Sequence, residues 1–126
     1  MSQHDAITYA RMIEEKIKEI DNLIDNVQDA ADSKALGIAN YDRKLAITIL
    51  KLKKGLITTM PDEDGSLIDI PSSITARDRE LIAKGVIWQE SLAKESGDSG
   101  YKGIITMIEA KKAQLNGLQS INKVLQ

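Results

Sequence analysis

Apolar residues recur along the first half of the chain at alternating spacings of four and three. The series is Ala6, Ala10, Ile13, Ile17, Ile20, Ile24, Val27, Ala31, Lys34, Ile38, Tyr41, Leu45, Thr48 and Leu52, with Lys34 and Thr48 as its only clear breaks. A seven-residue repeat held this long specifies a helix that buries a coiled-coil-like seam. Leu23, Ala30, Gly37, Ala46 and Ile49 widen the stripe, as contact with two neighbours requires. No proline precedes Pro61, so the spacing predicts one helix over residues 5–54, roughly 70 Å long. Gly37 is its soft spot, at about 1 kcal/mol against alanine, and the Asp32-Ser33 pair beside it is where a kink is expected.

Gly55 is placed to end this helix, with Lys51, Lys53 and Lys54 in the last turn complementing its dipole. Two short β-prone runs, Leu56 to Met60 and Ser66 to Ile70, then flank Pro61-Asp62-Glu63-Asp64-Gly65. Proline early and Asp-Gly late read as a small β-hairpin or compact loop within a connector over 55–73. Ser72, Ser73 and Thr75 offer N-caps, and Thr75-Ala76-Arg77-Asp78 approximates a capping box. Helical spacing resumes with Ile74, Leu81, Ile82, Gly85, Trp88 and Leu92, is interrupted at Ser96-Gly97-Asp98-Ser99-Gly100, and continues from Ile104 to Leu125. The interruption is brief and free of proline, so a continuous or kinked helix over 74–126 is favoured over a loop at 96–100.

Charge orders the two halves. Residues 5–32 hold eight acidic and three basic side chains, whereas 101–126 hold Lys102, Lys111, Lys112 and Lys123 against Glu109 alone. Folding back at the connector lays the basic tail along the acidic start. Each exposed pair contributes only about 0.2–1 kcal/mol, so charge selects direction and burial supplies stability. The fold-back should bring Trp88 near Tyr41, and Leu92 near the small Gly37. Two helices cannot cover so wide a stripe, which assigns Ile13, Ile17, Ile20, Ile24, Val27, Ile38, Tyr41, Leu45, Trp88 and Leu92 to a self-association seam. The expected fold is therefore all-α, a long antiparallel, coiled-coil-like helical hairpin, single-domain over 1–126, forming a multi-helix bundle as a dimer or larger oligomer.

Composition adds limits. The 126 residues are 42% hydrophobic yet include no Phe and one Trp, which suits helix-on-helix packing. A net charge of −2 gives no global field for nucleic acid or anionic membrane. Cysteine is absent, which removes disulfides and thiolate chemistry. Met-Ser-Gln-His-Asp lacks the regions of a signal peptide and no apolar run approaches a span, so a soluble, cytoplasmic protein without membrane contact is expected.

Candidate chemistry is sparse. His4 is the only histidine and has no second His or Cys with which to hold a metal. Asp62-Glu63-Asp64-Gly65 resembles a calcium loop, but aligning its glycine puts Met60 and Pro71 where the first and twelfth ligands belong, so the turn reading wins. No nucleophile motif or phosphate-cradling glycine loop occurs. The expectation is a protein without catalytic residues, metal or cofactor. Lys51, Lys53, Lys54, Arg77, Arg79 and Lys84 are the one cluster with a sharper reading. They are expected to converge at the hairpin tip, as dipole complement and solvated surface or as an anion site. Arg77 and Arg79, near a helix N-terminus, are oddly placed for the dipole. Trp88 and Tyr41 read as core rather than base-stacking residues.

Tyr41-Asp-Arg-Lys-Leu-Ala-Ile-Thr-Ile-Leu-Lys-Leu, with Leu81-Ile-Ala-Lys-Gly, Tyr101-Lys-Gly and Leu115-Asn-Gly-Leu-Gln-Ser-Ile, resembles small helical proteins of tailed phages encoded near recombination and single-strand-binding genes. The likeness covers residues 40–126 and departs at the connector. It implies a phage accessory protein in the bacterial host cytoplasm and carries over no catalytic residue. The leading expectation is a non-enzymatic factor acting by self-association and by binding a host or phage protein, in recombination or counter-defence. The alternatives are a sponge-like module binding nucleic acid or a signalling nucleotide at the basic tip, and a structural assembly protein.

Overall fold

The computed structural model describes residues 3–125, with side chains from Asp5 onward. Helix α1 spans Gln3–Lys53, strands β1 and β2 span Thr59–Pro61 and Leu67–Asp69, and helices α2 and α3 span Ala76–Val86 and Trp88–Leu125. The fold is all-α apart from this ribbon, and α1 and α3 pack against each other. Two compact units divide the chain, Met1–Asp32 with Asp98–Gln126, and Ser33–Gly97.

The first unit pairs the start of α1 with most of α3. Ile20 and Ile108 are its buried residues, flanked by half-covered positions at spacings of three and four. On α1 these are Tyr9, Ile13, Lys16, Leu23, Val27 and Ala30, and on α3 Ile104, Lys111, Leu115, Leu118 and Asn122. The expected attraction between acidic start and basic tail is present here. Lys111 Nζ and Lys16 Nζ each lie 2.9 Å from Glu19 Oε2. Two ammonium donors on one carboxylate hold the Glu19 pKa below its ordinary value, with the Lys16 hydrogen bond the larger cause and Lys111 next.

The second unit contains the rest of α1, the connector, α2 and the first turns of α3. Its core is Thr48, Leu52, Ala83 and Ile87. Gly37 and Gly97 show how the helices meet. A Cβ on Gly37 would stand 3.2 Å from Lys94 Cα and 3.3 Å from the Ala93 carbonyl oxygen, and one on Gly97 would stand 3.2 Å from both Lys34 Cα and the Ser33 carbonyl oxygen. The two glycines thus let backbone approach backbone reciprocally, 37 against 94 and 34 against 97, which fixes the antiparallel direction. Gly37 is a contact rather than a kink, and α1 runs unbroken through Asp32-Ser33.

This contact shows which residues of the expected seam pack within the chain. Because Gly37 turns toward the neighbour, the same face of α1 followed back by sevens is Ala30, Leu23 and Lys16, not Ala31, Ile24 and Ile17. Ile17 and Ile24 are exposed, while Ile20 is buried and Ile13, Val27, Ile38, Tyr41 and Leu45 are half-covered. Lys16 is tolerated in the seam because its stem lies along it while its ammonium reaches Glu19. The second half is displaced likewise. Trp88 and Leu92 are 57% and 59% exposed, and Ala83, Val86, Ile87, Ser91 and Lys94 face inward instead. Tyr41 meets Lys94, whose ammonium lies 4.2 Å from the ring centroid, in place of Trp88. Gly37 receives backbone in place of Leu92.

The helix does not break at 96–100, where α3 is continuous, but at Ile87. Ile87 adopts φ −99°, ψ 32° while its N–H still reaches the Ala83 carbonyl. No glycine or proline occupies that position. The connector forms the expected hairpin, with Thr59 opposite Asp69, Met60 opposite Ile68 and Pro61 opposite Leu67. Asp62 Oδ1 accepts from the N–H groups of Asp64 and Ser66 at 2.9 and 3.0 Å, and Gly65 N–H donates to the Asp62 carbonyl. Gly65, at φ +85°, takes the left-handed position that three-residue hairpin loops reserve for glycine. Asp62 therefore spends its carboxylate on the turn.

Candidate functional site

The connector end of the second unit gathers the basic residues singled out above. Helix α1 closes there in a Schellman motif. Gly55 sits at φ +69°, Leu56 N–H donates to the Lys51 carbonyl at 2.9 Å, and Gly55 N–H donates to the Leu52 carbonyl at 3.2 Å. The Leu50, Lys51 and Leu52 carbonyls are thus met by backbone donors, and the lysine ammonium groups are not consumed as their caps. Helix α2 starts at Thr75, whose Oγ1 accepts from Asp78 N–H at 3.1 Å. That cap fixes the first turn and with it Arg79.

Of the six candidate residues, three share one cleft of about 330 Å³. Lys53, Lys54 and Arg79 line it together with Leu52, Ile57, Ile70 and Ile74. Lys51 and Arg77 are exposed and do not line it, and Lys84 is tied to Glu80 at 3.3 Å. Arg79 Nε is buried and has no hydrogen-bond partner.

Across the ribbon lies a second recess of about 520 Å³, lined by Met60, Pro61, Asp62, Glu63, Ile68, Gly85 and Trp88. Met60 Cε comes within 3.1 Å of the position a Gly85 Cβ would take. Trp88 is therefore a wall of an open recess rather than a core residue. Its rim is acidic, opposite in sign to the cleft.

The first unit carries a feature that sequence reasoning passed over. On α3, Gly103, Met107, Ala110, Gln114, Gly117, Ile121 and Val124 repeat at spacings of four and three and are all exposed. No charge interrupts them, although 29% of the chain is charged. Nothing lies within 4 Å of a Cβ built on Gly103 or Gly117. The signal was available as a second heptad series beside Ile104, Ile108, Leu115 and Leu118, but four of its seven members are small or polar, which hides it from a search for large apolar residues.

Among the described residues no group of three or more His, Cys, Asp or Glu could hold a metal ion, and no helix is long and apolar enough to cross a membrane. The His4 side chain lies outside the described residues. The chain matches no family model, no curated protein and no solved structure.

Proposed function

We propose that this is a non-enzymatic binding protein that acts through self-association, with α3 of the first unit as the contact between copies. The observation that supports this reading is the uncharged exposed stripe from Gly103 to Val124. A helix apolar on two faces has two neighbours, and α1 covers only one of them.

The stripe is self-complementary about its centre. Two copies of α3 laid antiparallel around Gln114 place Met107 against Ile121 of the second copy and Gly103 against Val124 of the second copy. Ala110 meets Gly117 of the second copy, so small residues flank the axis and the larger Met107 and Ile121 lie beyond them. Gln114 then faces its own counterpart, where two amides can exchange hydrogen bonds and fix the register as a polar seam residue does. Such a two-fold contact is isologous and closes at two copies. Area permits it. The chain exposes 9024 Å², against about 6,700 Å² for a monomeric protein of its mass. The excess, roughly 2,300 Å², is more than the approximately 800 Å² per partner that a standard interface takes.

Sedimentation equilibrium is the first test, with a dimer expected at micromolar concentration. Gln114→Cys supplies the only thiol in the chain, and a contact on the axis forms an intermolecular disulfide under mild oxidation. A monomer at concentrations on the order of 100 μM, well above the Kd of a stable interface, would remove the proposal. A dimer in which the introduced thiol fails to cross-link would remove the register alone. The phage accessory role belongs to the same proposal and rests on the resemblance of residues 40–126. Affinity purification from infected cells tests it, with recovery of no phage or host protein counting against it.

A further inference from the structure

We infer that the cleft between the end of α1 and the first turn of α2 binds a phosphate group carried on a small organic ligand. Three cationic residues line one space there, Lys53, Lys54 and Arg79, and among the described residues no ion pair involves any of them. Helix α1 does not use the two lysines as caps, since its Schellman bonds already meet the Lys51 and Leu52 carbonyls.

Arg79 supplies the second observation. Its Nε is cut off from solvent and donates to nothing, although buried polar groups are almost always paired. The rest of its half-covered guanidinium lines the cleft, where the terminal N–H groups can donate to an oxyanion. A guanidinium matches the spacing of phosphate oxygens with two parallel N–H groups, and lysines add point charge beside it. Two lysines and an arginine on one anion favour a doubly charged phosphate over a carboxylate.

The remaining wall states what the phosphate is attached to. Leu52, Ile57, Ile70 and Ile74 are aliphatic, and no aromatic ring lines the cleft, so a base is not stacked as single-strand binders stack it. The volume, about 330 Å³, lies at the lower end of small-molecule sites and holds one compact phosphomonoester rather than a strand. The site is independent of self-association, which engages α3 of the other unit.

Calorimetric titration of the full chain at low salt tests this with three probes: inorganic phosphate, uridine monophosphate and a twelve-nucleotide single strand. Saturable binding of phosphate and the mononucleotide is expected, with a shift of the Arg79 Nε–H resonance in ¹H–¹⁵N spectra. Arg79→Ala should weaken it about 10- to 100-fold, the value of a lost charge-assisted hydrogen bond. Arg79→Lys, which keeps the charge and the fold, should still lose most of it, and Lys84→Ala should leave it unchanged. Absence of binding for every probe overturns the inference, as does binding that Arg79→Lys and Arg79→Ala both leave intact. Binding of the strand alone, steeply weakened by salt, overturns it in favour of a nucleic-acid surface.

Discussion

Replacing Gly37 or Gly97 by alanine sets two opposed energies of similar size against each other. In an exposed helix the exchange stabilises by about 0.8–1 kcal/mol, because alanine has less backbone freedom to lose. At these positions the new methyl would meet backbone atoms at 3.2–3.3 Å. A flexible side chain could swing aside from such a contact, but Lys94 Cα and the Ser33 carbonyl cannot move without their helices. Forcing extra atoms into a packed contact costs about 1–3 kcal/mol. The net expectation for each single variant is therefore a loss of about 0–2 kcal/mol. Gly100, with nothing within 4 Å of its built Cβ, should gain the full 0.8–1 kcal/mol or so. The gap between Gly37→Ala and Gly100→Ala is the quantity to measure, by urea denaturation followed by circular dichroism at one fixed protein concentration. Both tight glycines report on the same helix separation, so the double variant should cost less than the sum of the singles. If Gly37→Ala and Gly97→Ala stabilise the protein as much as Gly100→Ala does, the helices are not in backbone contact and the reasoning fails.

The Glu19 carboxylate has a depressed pKa in the folded state, so its contribution is present above the ordinary carboxylate range and disappears as pH falls through the lowered value. An NMR titration should place Glu19 below that range and Lys111→Ala should raise it, and an unmoved midpoint in the variant would refute the pairing. Ile108 is buried whereas Leu92 is not, so Ile108→Ala should cost about 2–5 kcal/mol and Leu92→Ala less than about 0.5 kcal/mol; equal losses in denaturation would contradict the observed burial. Trp88 should emit at long wavelength and be readily quenched by acrylamide, as an exposed indole is, and a blue-shifted, protected emission would restore it to the core. Thr75→Ala removes the α2 cap and should cost about 0.5–2 kcal/mol, with thermal unfolding as the readout.

The sequence announces helices, fold-back and hairpin because those depend on local chemistry. Heptad spacing, the Gly55 cap, Thr75 and the Pro61 to Gly65 turn each act within a few residues. The charge contrast between 5–32 and 101–126 foresees the Glu19 to Lys111 bond across the chain. Rotation of the helices was not legible, since Leu23-Ile24 and Gly37-Ile38 offer apolar or small residues on adjacent faces. A preference for bulky residues put Ile24, Trp88 and Leu92 inside, whereas glycines at 37 and 97 set the contact. The break at Ile87 carries no residue signal. Of the six basic candidates, only the three-dimensional path of the connector could separate Lys53, Lys54 and Arg79 from Lys51, Arg77 and Lys84.

The turn at Asp62 has a kinetic consequence. Its bonds join residues no more than four apart, whereas Lys111 and Glu19 are separated by 92 positions. Closing the longer loop first would cost about 3 kcal/mol more in chain entropy. Folding should therefore begin midway along the polypeptide and proceed like a zipper toward both ends, each new turn extending a loop already shut. Hydrogen exchange in the native state should show the reverse order, with amides near Leu125 opening before those near Ala83.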